Sequence, residues 1–152
     1  MQNNQLKKLS GSAGCFICDN NASNARSLHL EILWDEGAEA IQIAFSPDET
    51  WCGYGNVVHG GLVASVLDEA MAWVVKQKSG EWAMTVDLQV RYKFALEPGK
   101  AYLARAKVEN LGRVITTSAQ LLTVDGQVAA QASAKFLPAK GKAKPRNEST
   151  AE

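Results

Sequence analysis

The stretch NVVHGGLVASVLDEAMAWVV, residues 56–75, decides the fold, because it predicts a long helix in a chain whose other segments are predicted strands. Between 61 and 78 the apolar residues recur at the three- and four-residue spacing of an amphipathic helix. Two features are unusual for a helix of the core. His-Gly-Gly precedes it at 59–61, and the acidic pair Asp68 and Glu69 lies in its middle.

The predicted helix has two faces of different character. With about 100° between successive residues, one broad face is apolar and is expected to contact a sheet. It carries Val63, Val66, Leu67, Ala70, Trp73 and Val74. The opposite, narrow face carries small residues and one carboxylate, namely Gly61, Ala64, Ser65, Asp68 and Ala72. Helix faces in solvent usually carry long charged residues, which favours a cleft around Asp68. A solvent-exposed acidic pair is the alternative.

Alternating apolar residues predict six strands around this helix. The strongest alternation runs from Trp82 to Phe94, where every even position is apolar. The other predicted strands are 28–34, 38–45, 101–109, 113–124 and 127–137. Because an apolar sheet face must be buried against another layer, we predict an α+β fold with an antiparallel six-stranded sheet wrapped around one long helix. We expect the chain to divide into a flexible N-terminal arm (1–14), a folded domain (15–138) and a disordered tail (139–152).

The composition excludes several classes of protein. Apolar residues make up 46% of the 152 residues and charged residues 21%, which is typical of a globular domain. Because 16 Lys and Arg residues balance 16 Asp and Glu residues, we expect neither a nucleic-acid nor a membrane partner. No apolar run approaches the roughly 18 residues that span a bilayer, and the N-terminus lacks the apolar region of a secretory signal. A cytoplasmic protein is therefore expected.

The start of the helix offers a second chemical feature besides Asp68. The first backbone N–H groups of a helix lack partners, and the helix dipole is positive there. Glycines at 60 and 61 would let a ligand oxygen approach these amides, which is the arrangement of an oxyanion or phosphate site. Turn chemistry alone also explains two glycines before a helix, and His59 alone could be a structural loop residue.

Together these motifs resemble the hotdog-fold acyl-CoA thioesterases of the PaaI-like group. The resemblance rests on HGGLVASVLDEAM, in which aspartate follows histidine by nine positions, on MTVDLQVRYKFALEPGK, and on CFIC near the N-terminus. It covers residues 15–138 and implies the hotdog fold. It also implies hydrolysis of acyl-CoA to free acid and coenzyme A without a cofactor.

The resemblance implies a role for each residue of the motif. Asp68 is the nucleophile or general base, the Gly61 amide polarises the thioester carbonyl, His59 helps to place the thioester, and Thr85 positions water. The alternation of its strand puts Thr85 on the polar face, so a bulge or a seam position is needed to bring it to Asp68. The family builds this site across a homodimer or homotetramer. Geometry agrees, since Gly61 and Asp68 are about 10 Å apart at about 1.5 Å per residue, too far for one carbonyl to contact both.

Further candidates surround these four residues. Gly60 and Asn56 are candidate substrate-binding residues beside the motif histidine. Trp51 and Tyr54, in the loop before it, are candidates to line an acyl pocket. Arg91 and Lys93 are candidates to contact the phosphates of coenzyme A.

The cysteines permit a metal site, but the prediction is that there is none. Cys15 and Cys18 form a C-x-x-C that could be half of a zinc site completed by Cys52 or His29. The chain has no second C-x-x-C, and three cysteines do not suggest a disulfide framework.

Two other functions stay open at this stage. The same fold can bind acyl or aromatic ligands without hydrolysing them, and a dehydratase can share it. The dehydratase usually places its histidine and carboxylate differently. The acyl group of the substrate and the choice between dimer and tetramer are open as well.

Overall fold

In a computed structural model, residues 5–139 are described. They form seven strands and one long helix, with one 3-10 turn, Glu49–Trp51, before the helix. In chain order these are β1 (Leu6–Lys8), β2 (Leu33–Asp35), β3 (Ala40–Phe45), α1 (Gly60–Ser79), β4 (Ala83–Tyr92), β5 (Tyr102–Leu111), β6 (Ile115–Thr123) and β7 (Val128–Pro138). The first four residues of the predicted arm, and the predicted tail beyond residue 139, lie outside the described residues.

The strands form one antiparallel sheet in the order β1-β2-β3-β5-β6-β7-β4, and α1 packs against it. The prediction of a hotdog fold is confirmed, although the described residues form seven strands rather than six. The additional strand, β1, lies within the predicted N-terminal arm and pairs with β2. The prediction of a strand over 28–34 was too long. His29 has a φ of 53°, so the backbone leaves the extended conformation before β2 begins.

The helix α1 buries the apolar face that its periodicity predicted. All six predicted residues of that face are buried, together with Met71 and Val75. Gly80 ends the helix in the left-handed conformation with φ 79°, and its N–H donates to the Lys76 carbonyl. Within residues 5–139, no helix is long and apolar enough to cross a membrane.

A bulge in β4 changes which side chains face the helix. The pairing with β7 shifts between Thr85, which lies opposite Phe136, and Asp87, which lies opposite Lys135. Phe136 is fully buried, and directly opposed residues project from the same side of a sheet. Thr85 therefore faces the helix, on the same side as Leu88, which lies opposite the buried Ala134. The polar-face position expected from strict alternation was wrong for Thr85, because the bulge adds one residue to the strand.

Strand β4 also leaves much of its apolar surface uncovered. Among the described strands, β4 is an edge strand of the sheet, so it pairs with β7 alone. Its apolar side chains are exposed by 53% at Met84, 48% at Val86 and 47% at Tyr92. Unpaired edges with exposed apolar residues are sites at which another chain can associate.

Candidate active site

The bulge brings Thr85 to the carboxylate of Asp68. Asp68 is half-buried on α1, and the Thr85 hydroxyl donates to its Oδ1 over 2.8 Å. Burial raises the pKa of Asp68 above its ordinary value, and the hydrogen bond from Thr85 acts in the opposite direction by stabilising the ionised form. The two residues that the sequence linked by resemblance are therefore in direct contact within one chain.

His59 caps the start of α1. Its Nδ1 accepts a hydrogen bond from the Gly61 N–H over 2.9 Å. Because Nδ1 is the acceptor, the neutral ring carries its proton on Nε2, which is left as a donor. A Cβ built on Gly61 would lie 3.0 Å from Nδ1, so glycine permits this close approach. The Gly61 amide, which we expected to polarise a carbonyl, is thus occupied by the imidazole of its own chain.

Tyr92 joins β4 to the helix start and was not among the predicted site residues. Its hydroxyl donates to the Gly60 carbonyl over 2.5 Å. This hydrogen bond and the one from Thr85 to Asp68 together place β4 along the narrow face of α1, which carries small residues. The sequence showed Tyr92 only as one apolar position in an alternating strand, so no local signal indicated this contact.

A cleft of about 430 Å³ lies beside the helix start. It is lined by Gly53, Tyr54, Val57, Val58, His59 and Gly60. Tyr54 and Gly60 therefore line this cleft, and Asn56 is exposed on the same loop. Trp51 is not in the cleft. It is 7% exposed and stacks on Phe45 with ring centroids 5.6 Å apart, so it belongs to the core.

The two basic candidates lie away from Asp68 in the single chain. Arg91 pairs with Gln131 across the sheet and lines a groove of about 610 Å³ on the face opposite the helix. Arg105 and Lys107 line the same groove. Lys93 is exposed just beyond the end of β4.

Glu69 belongs to a separate cluster with the two N-terminal cysteines. Its Oε1 accepts hydrogen bonds from the Cys15 thiol over 3.3 Å and from the Trp73 indole over 3.1 Å. Burial raises the pKa of Glu69 to about 7. The pKa of Cys15 is lowered mainly by a hydrogen bond from Cys18, and the same contact raises the pKa of Cys18.

The comparisons with known proteins agree with this architecture. The profile of the thioesterase superfamily matches residues 55–130. An uncharacterized protein of Schizosaccharomyces pombe is 33% identical over 94 residues, which cover 60% of this chain and 54% of that protein. The chain thus spans about half the length of this relative.

Several solved structures share the fold. A thioesterase superfamily protein is 25% identical with a TM-score of 0.68, covering 76% of this chain and 56% of its own. A hypothetical thioesterase from Streptococcus pneumoniae TIGR4, solved with coenzyme A, is 15% identical with a TM-score of 0.63, covering 66% and 81%. The Escherichia coli PaaI protein from the phenylacetic acid degradation operon is 16% identical with a TM-score of 0.61, covering 64% and 75%. The family profile spans the site residues from His59 to Thr85, and the chain belongs to the thioesterase superfamily.

Proposed function

We propose that this protein hydrolyses acyl-CoA thioesters, with Asp68 as the nucleophile or general base. The observation that carries the proposal is the contact between Asp68 and Thr85, a half-buried carboxylate oriented by a hydroxyl group at 2.8 Å. The bond engages Oδ1, which leaves Oδ2 for chemistry. Membership in the thioesterase superfamily supports the class of reaction.

Two routes use the same carboxylate. As a general base, Asp68 takes a proton from water while the water oxygen bonds to the thioester carbonyl carbon. The tetrahedral intermediate then breaks its C–S bond, and the leaving thiolate of coenzyme A takes up the proton. As a nucleophile, Asp68 bonds to the carbonyl carbon itself, and water hydrolyses the mixed anhydride after the thiolate has left.

The carbonyl oxygen needs a donor near the start of α1. The Gly61 N–H can serve once the His59 ring turns away from it, and His59 is exposed and therefore free to turn. With the ring in its present position, the Nε2–H of His59 is the available donor. Either donor would stabilise the negative charge that develops on the oxygen in the transition state.

The proposed site is completed by a second copy of the chain. Gly61 and Asp68 are about 10 Å apart along α1, at about 1.5 Å per residue, so one carbonyl cannot reach both in one chain. Pairing of two β4 edges about a two-fold axis would bury the exposed residues of that edge and bring a second helix antiparallel to the first. We propose a homodimer with two equivalent sites, which can pair further into a homotetramer.

Coenzyme A is the proposed carrier of the acyl group. The fold is shared with a hypothetical thioesterase solved with coenzyme A. Tyr54 and Gly60 in the cleft are the proposed contacts of the thioester portion, with Asn56 on the loop above. Arg91 and Lys93, which are both exposed, are the proposed contacts of the phosphates of coenzyme A.

A panel of acyl-CoA thioesters, assayed for release of free thiol, tests the proposal. Asp68→Asn should abolish release while it retains the native circular dichroism spectrum. Asp87→Asn is the matched control, because Asp87 is a carboxylate on the outer face of β4 beside Lys135. Comparable turnover in the Asp68 variant and the wild type would refute the assignment.

A non-hydrolytic binding module is the second candidate. It is favoured by the hydrogen bond from Gly61 to His59, which occupies the amide that a hydrolase would use. Such a module would retain acyl-CoA intact during gel filtration and would release no thiol with any member of the panel.

A further inference from the structure

A cluster of metal-ligand atoms lies outside the proposed active site. The sulfur atoms of Cys15 and Cys18 and a carboxylate oxygen of Glu69 all lie within 4.8 Å of one another. All three cysteines are free thiols, and Cys18 is fully buried. Cys15 and Cys18 belong to the loop before β2, whereas Glu69 comes from the middle of α1, so the cluster joins two distant segments of the chain.

The atoms of the cluster are held in place by surrounding hydrogen bonds. The Ile17 N–H donates to the Cys15 sulfur over 3.4 Å, and the Ser12 N–H donates to the Cys18 sulfur over 3.3 Å. The Trp73 indole N–H donates to Glu69 over 3.1 Å. Donors of this kind orient ligands and stabilise negative charge on them, as the surrounding residues of metal sites do.

The loop that carries the two cysteines is itself ordered by a buried carboxylate. Asp19 accepts hydrogen bonds from the Gly14 N–H over 3.0 Å and from the Asn24 N–H over 2.7 Å. Asp19 is fully buried, so the loop closes around it and presents both sulfurs to α1. The position of the thiols is thus fixed by the fold.

We propose that Cys15, Cys18 and Glu69 bind one zinc ion. Two thiolates with a carboxylate suit zinc, which accepts sulfur and oxygen ligands in tetrahedral geometry. Tetrahedral zinc would hold its sulfurs roughly 3.8 Å apart and each sulfur roughly 3.6 Å from the oxygen, given the usual bond lengths. The present separation of 3.3 Å between the Cys15 sulfur and the Glu69 oxygen is close to that value. Small shifts of these side chains therefore suffice to bring the three ligand atoms to the spacing that zinc requires.

The coordination differs from the one suggested by the sequence. Among the described residues, neither Cys52 nor His29 belongs to the cluster, and Glu69 takes the place expected for them. The fourth tetrahedral position is open to water or to an added ligand. The ion would tie the loop at 15–18 to α1 one residue from Asp68, and this inference does not depend on the proposed hydrolysis.

The full-length protein, kept reduced, tests the site directly. We would remove bound metal with a chelator, add zinc or cobalt(II), and measure metal per chain together with the absorption of the cobalt form. We expect one ion per chain, a thiolate-to-cobalt charge-transfer band, and a higher melting temperature with zinc. Absence of that band in reduced wild-type protein would overturn the proposal, whatever the variants do.

Variants identify the ligands. Cys15→Ser and Glu69→Gln should each weaken zinc binding by at least roughly tenfold, and Cys52→Ser, outside the cluster, should bind as the wild type does. Equal loss of zinc in Cys52→Ser would overturn the assignment, as would a Cys15–Cys18 disulfide in the freshly isolated protein. Because Cys15 is only partly buried, its replacement is the variant that best preserves the fold.

Discussion

Replacing Thr85 with valine tests the contact at the centre of the proposed site. Valine keeps the shape of the side chain but removes the hydroxyl that donates to Asp68 over 2.8 Å. That bond lowers the pKa of Asp68, against the effect of burial, which raises it. Its loss should therefore raise the pKa of Asp68 further. The acidic limb of the profile of kcat/KM against pH should then shift to higher pH.

The size of the effect on activity follows from the strength of the bond. A hydrogen bond to a charged group contributes about 1.5 to 3 kcal/mol. Because Asp68 is only half-buried and Thr85 is exposed, solvent screening reduces the contribution to about 1 kcal/mol. The limb should therefore move to higher pH, because loss of the bond leaves the effect of burial unopposed. Below the limb, activity should fall about fivefold relative to the wild type.

The measurement is kcat/KM against pH, followed through the loss of thioester absorbance so that the signal does not depend on a thiol reagent. Thr85→Ser should restore the limb because it restores the hydroxyl donor. Thr116→Val is the matched control, since Thr116 lies opposite Lys135 on the outer face of the sheet. A limb that does not move in Thr85→Val, or that moves equally in Thr116→Val, would refute the reasoning.

Three further predictions concern the carboxylate, the amide donor and the edge strand. Burial raises the pKa of Asp68 in the folded state. Asp68 therefore contributes its full stabilisation below the pKa that it has in the unfolded chain, and this stabilisation is lost as the pH rises through the pKa of the folded state. Asp68→Asn should therefore melt at a higher temperature than the wild type at neutral pH, and equal melting temperatures there would contradict this sign. Gly61→Pro removes an N–H and should lower kcat at least roughly tenfold, whereas unchanged kinetics would exclude the oxyanion role. Val86→Asp places a charge on the exposed edge of β4 and should yield monomers by light scattering, with loss of activity; a dimer that persists would place the interface elsewhere.

Local periodicity determined much of the fold. The spacing of apolar residues in α1 predicted its sheet-facing side, and all six residues of that side are buried. The dipeptide Asp125-Gly126 is typical of turns between strands, and it lies between β6 and β7, where Gly126 has a positive φ of 80°. These features could be predicted because each depends on neighbours within a few positions of the chain.

The candidate site could be predicted only in part. His59, Gly61, Asp68 and Thr85 follow from a motif, but the hydrogen bond from Gly61 to His59 depends on how the imidazole turns at the helix start. The alternation of its strand placed Thr85 on the wrong face, because a bulge exists only relative to the strand with which β4 pairs.

The remaining features depended on the tertiary structure. Trp51 is in the core because it stacks on Phe45 of β3, which no local pattern indicates. Glu69 joins Cys15 and Cys18 because the N-terminal loop crosses α1 at that level, 54 positions away along the chain. The exposure of β4 follows from the order of the strands, since the apolar alternation of a strand is the same at the edge of a sheet as in its centre. The sequence by itself determined the helix, its two faces and the antiparallel strands, because these depend on local spacing. Only the tertiary structure decided which side chains of distant segments meet, because those contacts depend on pairing and packing between segments.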